Sequence, residues 1–330
     1  MFSKKTIAIF VLILISAAFF SIRAVQNYKD GYDRIGILKA IDHPALDATA
    51  EGIKKALSEK LGSYQILYES AQSDSALAQQ IVQKFLQQKV KAIVTIGTTV
   101  TQVAMQKTKN TPIVFASVTD PIGSGIVQNV NVPEGNVTGI SNFAPDITQK
   151  QLIFFKELLP NLKKLGIIYN SGESNSITLV NKIKIESAKL NINVKEIVVQ
   201  NTNDAVFAVK SLLSAGVDAI FIDNDNTALG AIKGIVNSAM KSKVPVFCSD
   251  TDTIKHGVLA AVGPDQFKLG EKVGEMVIKI VKENQSIDQI SVLYGGDIEY
   301  VVNENTAKEL NINIPSNTNI RLFNHKESNS

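Results

Sequence analysis

Apolar runs in this chain break repeatedly into small polar or acidic residues: Gly97-Thr98-Thr99, Ser117-Val118-Thr119-Asp120, Tyr169-Asn170-Ser171, Asp223-Asn224-Asp225-Asn226 and Ser249-Asp250-Thr251. Residues of these types suit a small zwitterion, with a carboxylate and an ammonium on one carbon. The carboxylate needs several donors, and a helix N-terminus supplies oriented N–H groups in a favourable dipole. Gly97-Thr98-Thr99 ends a strand pattern and opens a helical one, so its backbone and the hydroxyls of Thr98 and Thr99 fit that task. Ser117 and Thr119 add donors from the next strand end, although Thr98 and Thr119 also read as plain N-caps. The ammonium needs a carboxylate shielded from solvent. Asp250 and Asp225 are the first choices, with Asp120 and Glu173 behind them. Asp120 precedes Pro121 in a turn-like pair, and Asp223 is open to the alternative of capping the helix near Thr227. Asn170, Asn175, Ser176 and Asn226 offer adaptable polar contacts from the second half of the chain. With no Trp, an apolar wall falls to Phe143 and Tyr169 at strand ends, each of which also reads as core.

Catalytic chemistry has little to stand on. The three histidines, His43, His256 and His325, show no metal-ligand spacing, and no nucleophile elbow occurs. No enzyme activity, metal or cofactor is expected. His43 precedes Pro44 after the first strand pattern and lies within reach of a cleft ligand. The lone cysteine, Cys248, excludes an internal disulfide and a Cys-based zinc site, and sits in the apolar run Val244 to Cys248 as a packing residue.

The elements that must position these residues alternate along the chain. Strand-like runs at Arg34–Ile41, Tyr64–Glu69, Ala92–Ile96, Ile113–Ser117 and Val137–Ser141 are separated by helical patterns. The pattern restarts after Pro160, with strands at Leu165–Tyr169, Val194–Val199, Ala219–Ile222, Val244–Cys248 and Val258–Val262. "KAIVTIGTT" and "DAIFIDNDN" occupy equivalent places in the two halves, as do "TPIVFASVTDP" and "VPVFCSDTD". The expected fold is α/β: two doubly wound parallel-sheet lobes joined by several hinge crossings. Lobe 1 takes residues 34–145 plus about 257–284, lobe 2 takes 146–256 plus about 288–315, and 316–330 form a polar tail. The hinges fall near Ala144–Asp146, Thr253–His256 and Asn284–Asp288. Open α/β sheets bind ligands beyond the carboxyl ends of their strands, so the polar strand ends mark a cleft between lobes.

At 330 residues, 45% hydrophobic and 20% charged, the chain is long enough for two such lobes. Residues 1–24 read as an export signal. Lys4 and Lys5 precede an apolar stretch from Ile7 to Phe20, which is shorter than the roughly 20 residues of a membrane span. Phe19, Phe20 and Arg23 make a poor cleavage site before or at Ala24, so an uncleaved anchor is the alternative. Residues 15–25 contain no Cys to carry a lipid. The net charge of +3 arises in this segment, which holds Lys4, Lys5 and Arg23 and no acid. The rest of the chain is neutral, which argues against nucleic acid as a partner.

At these residues the chain closely resembles the ABC transporter substrate-binding family that includes tryptophan- and tyrosine-binding proteins, over nearly all of Arg34 to Pro315. The resemblance is carried by "IGTTVTQVA" at 96–104, "PIVFASVTDPIGSGIV" at 112–127, "GNVTGIS" at 135–141 and "LGIIYNSGESNS" at 165–176. It continues through "DNDNT" at 223–227, "PVFCSDTDTIKHG" at 245–257 and "YVVNENTAKELNINIP" at 300–315. It implies the type I periplasmic-binding architecture, a Venus flytrap that closes on a small molecule. It also implies a periplasmic or otherwise extracytoplasmic setting, an aromatic amino acid as ligand and an ABC importer's permease as partner. A membrane-anchored ligand-sensing module of the same fold is the other expectation. Two departures stand out: Thr99 replaces the family's usual proline, and the lipobox of many members is missing.

Overall fold

Continuous Val/Ile-rich runs make strands that need cover on both faces, and the chain supplies that cover twice. The structure, a computed structural model, describes residues 33–324 apart from 63, 145, 297, 317 and 318. The export-signal segment 1–24 and His325 lie outside the described residues. The first lobe opens with β1 (Asp33–Lys39), α1 (Pro44–Lys60), β2 (Tyr64–Ser70), α2 (Ser75–Gln87), β3 (Ala92–Ile96), α3 (Thr98–Lys107), β4 (Ile113–Val118) and β5 (Val137–Ser141). The second follows with α4 (Ile147–Leu158), β6 (Lys164–Asn170), α5 (Ser174–Lys189), β7 (Asn193–Val199), α6 (Thr202–Ser214), β8 (Ala219–Ile222), α7 (Asn226–Gly230), α8 (Ile232–Met240), β9 (Val246–Cys248) and β10 (Ala260–Pro264). The chain then recrosses through α9 (Gln266–Val281), β11 (Leu293–Tyr294), β12 (Ile298–Asn303), α10 (Glu304–Glu309) and β13 (Ile320–Phe323).

The first sheet runs β11-β5-β4-β3-β1-β2, all parallel. The second runs β13-β12-β10-β9-β8-β6-β7, parallel except where β12 meets β10. Every residue of β3, β4, β8 and β9 is buried, as strands sandwiched between helices must be. In the second lobe Phe155 of α4 stacks on Phe247 at 4.1 Å between centroids and meets Phe221 edge-on at 4.9 Å. Such pairs add about 0.5–1.5 kcal/mol beyond their burial. Cys248 is fully buried in the core beneath α6 and α8, a packing residue. No helix among the described residues is long and apolar enough to cross a membrane.

Strand pairing draws the lobes differently from the sequence expectation. Residues 260–264 belong to the second sheet, paired with β9 and β12, and not to the first lobe. Conversely β11 pairs with β5, which places 293–294 in the first lobe. The crossings therefore lie between β5 and α4, at Asp265, and between β11 and β12. Thr253–His256 is part of a 3₁₀ helix in the second lobe, and Ile287–Gln289 forms a 3₁₀ turn in the first. The expected polar tail contains β13, which adds to β12 in parallel. The reason is common to all these cases: hydrophobic period reveals an element's type, whereas sheet membership depends on which distant backbone it meets.

Candidate functional site

The carboxyl ends of β1, β3, β4 and β5 face those of β6, β8 and β9 across a cleft. At its centre lies a narrow cavity of about 20 Å³, room for little more than one water as the lobes stand. The first lobe lines it with His43, Gly97, Thr98, Ser117, Thr119, Asn142 and Gln266, the second with Asn175, Asn224 and Asn226. Ala45, Leu46 and Leu229 supply its apolar surface.

Gly97 ends β3 at φ +110°, a conformation that side chains resist, and a Cβ there would lie 3.1 Å from that of Ala40. The turn delivers the N-terminus of α3 to the cavity with no side-chain cap on its first N–H groups. Thr98 and Thr119 are each 2% exposed and line the cavity, as expected for the donor side. Ser117 is held at φ +54° where β4 slips register against β5. Its hydroxyl donates to Gln266 Oε1 at 2.9 Å, which Thr49 Oγ1 also reaches at 3.1 Å. These two hydroxyls fix the Gln266 amide and leave its N–H donors for other partners. Thr99 faces a neighbouring chamber instead.

His43 caps no N–H of α1 with its side chain. Lys39 pairs with Asp42 at 2.7 Å and with Asp47, pinning the loop on both sides of His43. The ring is buried, and neither nitrogen has a hydrogen-bond partner among the described residues. Burial pushes its pKa down to about 4, so it is neutral at physiological pH.

Four carboxylates of the second lobe divide by what already occupies them. Asp225 caps α7: Oδ1 accepts from Ala228 N at 2.7 Å, and Oδ2 from Asn170 N at 2.6 Å and Ser176 Oγ at 2.7 Å. Glu173 accepts from the backbone N–H of Asn226 and Thr227, both at 3.1 Å, and from both their side chains. Burial and the charge of Asp225 raise Glu173 to about 7, and burial also raises Asp225. Asp250 is wholly buried and caps the 3₁₀ helix 251–256 through Asp252 N at 2.9 Å, and burial pushes it up to about 8. Asp223 accepts from Asn224 N through Oδ1 at 2.8 Å, but its Oδ2 has no hydrogen-bond partner among the described residues. Burial raises it to about 6.

Of the two sequence choices for the ammonium, Asp225 is engaged through both oxygens, whereas Asp250 caps through Oδ1 and its Oδ2 has no hydrogen-bond partner among the described residues. Asp223, Asp225 and Asp250 all stand behind the residues that line the cavity. The alternative that Asp223 caps the helix near Thr227 is not what the structure shows, since the cap is Asp225. Asn175 and Asn226 line the cavity as expected, whereas Ser176 is spent on Asp225. Asn170 lines an outer chamber of about 330 Å³ with Thr99, Glu173 and Thr227. Asp120 holds its own turn by accepting Gly123 N at 2.8 Å, and lines a chamber at the crossing side with Phe143. Phe143 carries the Lys182 ammonium 4.1 Å from its ring centroid, and Tyr169 packs against the core of the second lobe. Sequence reasoning missed Asn142, Asn224 and Gln266. Asn142 follows a strand end and was open to the same rule, but Gln266 arrives from α9 with no local signal. Among the described residues no cluster of His, Cys, Asp and Glu is fit for a metal ion.

The lobes touch across the cleft, where a Cβ on Gly230 would lie 3.0 Å from Ile41 Cδ1. A tyrosine-binding protein of Clostridioides difficile is 33% identical over 298 residues, 89% of this chain and 85% of its own. A Streptococcus ABC domain solved in complex with L-Trp is 31% identical, with a TM-score of 0.81 over 87% of this chain and 97% of its own. The ligand-free, open structure of a Clostridium difficile substrate binding protein with adhesive properties is 32% identical, with a TM-score of 0.66 over 88% and 99%. The fold is that of type I periplasmic binding proteins. The model of ABC transporter substrate binding proteins, a family of solute binders and not of enzymes, matches residues 34–326, and the chain belongs to that family.

Proposed function

We propose that the protein is the extracytoplasmic binding component of an ABC importer, exported by residues 1–24, and that its cleft closes on an aromatic amino acid for delivery to a permease. One observation carries this reading. Asn142 Oδ1 and Asn175 Oδ1 line one cavity, and Asp223 Oδ2 is buried next to its lining residue Asn224. All three lack hydrogen-bond partners among the described residues, as does Asp250 Oδ2, buried near the lining residue Ala45. Buried polar atoms are nearly always satisfied, so unmet acceptors at one place call for a donor from outside. An ammonium brings three N–H donors and the charge that suits Asp223. Opposite them, the uncapped start of α3 with Thr98 and Thr119 suits the carboxylate. The tyrosine-binding relative and the L-Trp complex support the aromatic choice.

Calorimetry with tyrosine, tryptophan, tyramine and N-acetyltyrosine tests it. Each truncated analogue leaves one end of the site unpaired, a loss of about 2–5 kcal/mol, or some thirtyfold to several thousandfold in affinity. Tyramine binding as tightly as tyrosine would rule out the zwitterion site.

A further inference from the structure

The inner cavity does not end at the polar anchors. Thr119 lines both it and a second chamber of about 250 Å³, at the side where the chain crosses between lobes. Two further connections join them. Asn142 lines the first and the next residue, Phe143, lines the second. On α5, Asn175 lines the first, while Leu179 and Lys182, four and seven residues on and so on the same helix face, line the second. From Asn175 to Lys182 the helix advances about 10 Å, so the second chamber is one to two turns further along the same wall.

Its lining differs in kind from the anchors. Phe143, Leu179, Tyr294 and Pro121 make a predominantly apolar chamber with two rings. At its margin stand two charges of opposite sign. The Lys182 ammonium lies over the Phe143 ring; burial lowers its pKa, against the charges of Glu186, Asp146, Asp223 and, least of these, Asp120. Asp120 uses Oδ1 for Gly123 N–H. The larger chamber at the opposite end of the cleft is walled by small and polar residues such as Ala40, Ala71, Ser73 and Thr99, and holds no aromatic ring.

We propose that this second chamber is the side-chain subsite, in which the ligand's ring lies against Phe143, Leu179 and Tyr294 while Lys182 and Asp120 select a phenolic hydroxyl at its far end. The inference rests on the amino-acid ligand proposed above and adds where its side chain goes and what reads it. A phenol both accepts and donates, which matches an ammonium beside a carboxylate. A phenylalanine ring would present an apolar edge to both groups. Sites built to bond a hydroxyl reject its absence most strongly when sealed from water. Here Tyr294 is 43% exposed, so water can replace the missing hydroxyl in part, and the preference for tyrosine over phenylalanine is about tenfold.

The experiment is calorimetry of tyrosine and phenylalanine on the full chain and three variants. Thr178→Trp fills the second chamber from an exposed position, and Gln106→Trp fills the opposite chamber from another. Lys182→Met removes the charge and keeps the stem. The expected results are a tenfold or greater loss of both ligands with Thr178→Trp and no loss with Gln106→Trp. With Lys182→Met the tyrosine-to-phenylalanine ratio should fall towards one while phenylalanine affinity is kept. The reverse pattern, with Gln106→Trp disruptive and Thr178→Trp silent, overturns the ring's placement alone. Wild-type protein that binds neither amino acid overturns the ligand class, and the ring's placement with it. An unchanged ratio in Lys182→Met removes Lys182 from specificity.

Discussion

Asp223, Asp225, Glu173 and Asp250 are all acidic and buried, yet only Asp223 and Asp250 keep an oxygen without a hydrogen-bond partner among the described residues, and Asp223 adjoins the cavity residue Asn224. In the proposed site, Asp223→Asn should weaken amino-acid binding by thirtyfold or more, because one charged partner is lost, while the melting temperature stays close to wild type. Asp225→Ala should do the opposite first. It strands the N–H groups of Asn170 and Ala228 and the Ser176 hydroxyl, at about 1–3 kcal/mol per unmet group, which thermal unfolding would register. The pKa of Asp223 also sets a pH dependence. With a value of about 6 it is ionised above pH 7 and loses its charge as pH falls through 6, so affinity should be flat from 7 to 8 and drop below 6. The His43 imidazole, held near 4, does not titrate in that window. A pH-independent affinity from 5 to 8 would disconnect Asp223 from the ammonium. The sequence made Thr98, Thr119, Asn175 and Asn226 legible because each follows a strand end or opens a helix. It left the aspartates undecided, since the choice depends on which N–H groups fold back onto which carboxylate. Phe143 and Tyr169 look alike in sequence for the same reason: each ends an apolar run, and only packing sends one to a chamber and the other to a core.

The helices obey similar logic at the next scale. The doubly wound pattern of both halves was legible because strands covered on both faces are apolar throughout, while their helices are apolar on one side. The late crossings were not, because Ala260–Pro264 and Gln266–Val281 adjoin in sequence yet belong to different lobes. Across that boundary α9 packs on α1 at backbone distance. A Cβ on Gly52 would lie 2.1 Å from Phe267 O, and one on Gly270 would lie 2.1 Å from Thr49 O. Gly270→Val should therefore force the two helices apart, costing about 1–3 kcal/mol or more in a urea titration. Because Thr49 and Gln266 sit at this junction and hold the Ser117 hydroxyl, ligand affinity should fall with it. Buried acids add a stability effect at the element ends. Glu173 at about 7 and Asp250 at about 8 are raised above their unfolded values, so the neutral form favours folding and that contribution is lost as pH rises through 7 to 8. His43 and His256 are lowered and act in the opposite direction, but only below about 6.5. The ligand-free melting temperature should consequently fall between pH 6.5 and 8.5, and Asp250→Asn should flatten the slope. A rising curve over that range would mean these acids are ionised in the folded protein.

Three crossings tie the lobes together, and multiple crossings confine relative motion to opening and closing about a shared axis. The lobes meet where Gly230 of α7 faces Ile41, with 3.0 Å left for a Cβ. The contact involves the end of α7, whose N-terminus is organised by Asp225 and Glu173 and whose residue Asn226 lines the cavity. Closure thus brings an element of the binding wall against the first lobe, and its tightness limits how far the cleft can shut. A large side chain at Gly230 would press on Thr202 Cγ2 of its own lobe, 3.2 Å from a Cβ, in any arrangement, and on Ile41 of the first lobe only while the lobes are in contact, so the Ile41 part of its cost falls on the closed state. Overpacking of this kind costs about 1–3 kcal/mol. Because ligand binding draws on the closed population, the same energy appears as a roughly fivefold to hundredfold loss of affinity in Gly230→Phe. The ligand-free melting temperature should fall by a few degrees through the Thr202 contact, and Gly230→Ala, whose Cβ meets only the flexible Cδ1 end of Ile41, serves as the control for that part. Wild-type protein at a hundredfold excess of ligand over its dissociation constant should gain about 2.7 kcal/mol of stability and a more compact scattering profile. Gly230→Phe should remain extended at that ligand concentration and compact only at higher ones. Wild-type affinity in Gly230→Phe, together with full compaction, would show that the lobes bind without closing onto this contact.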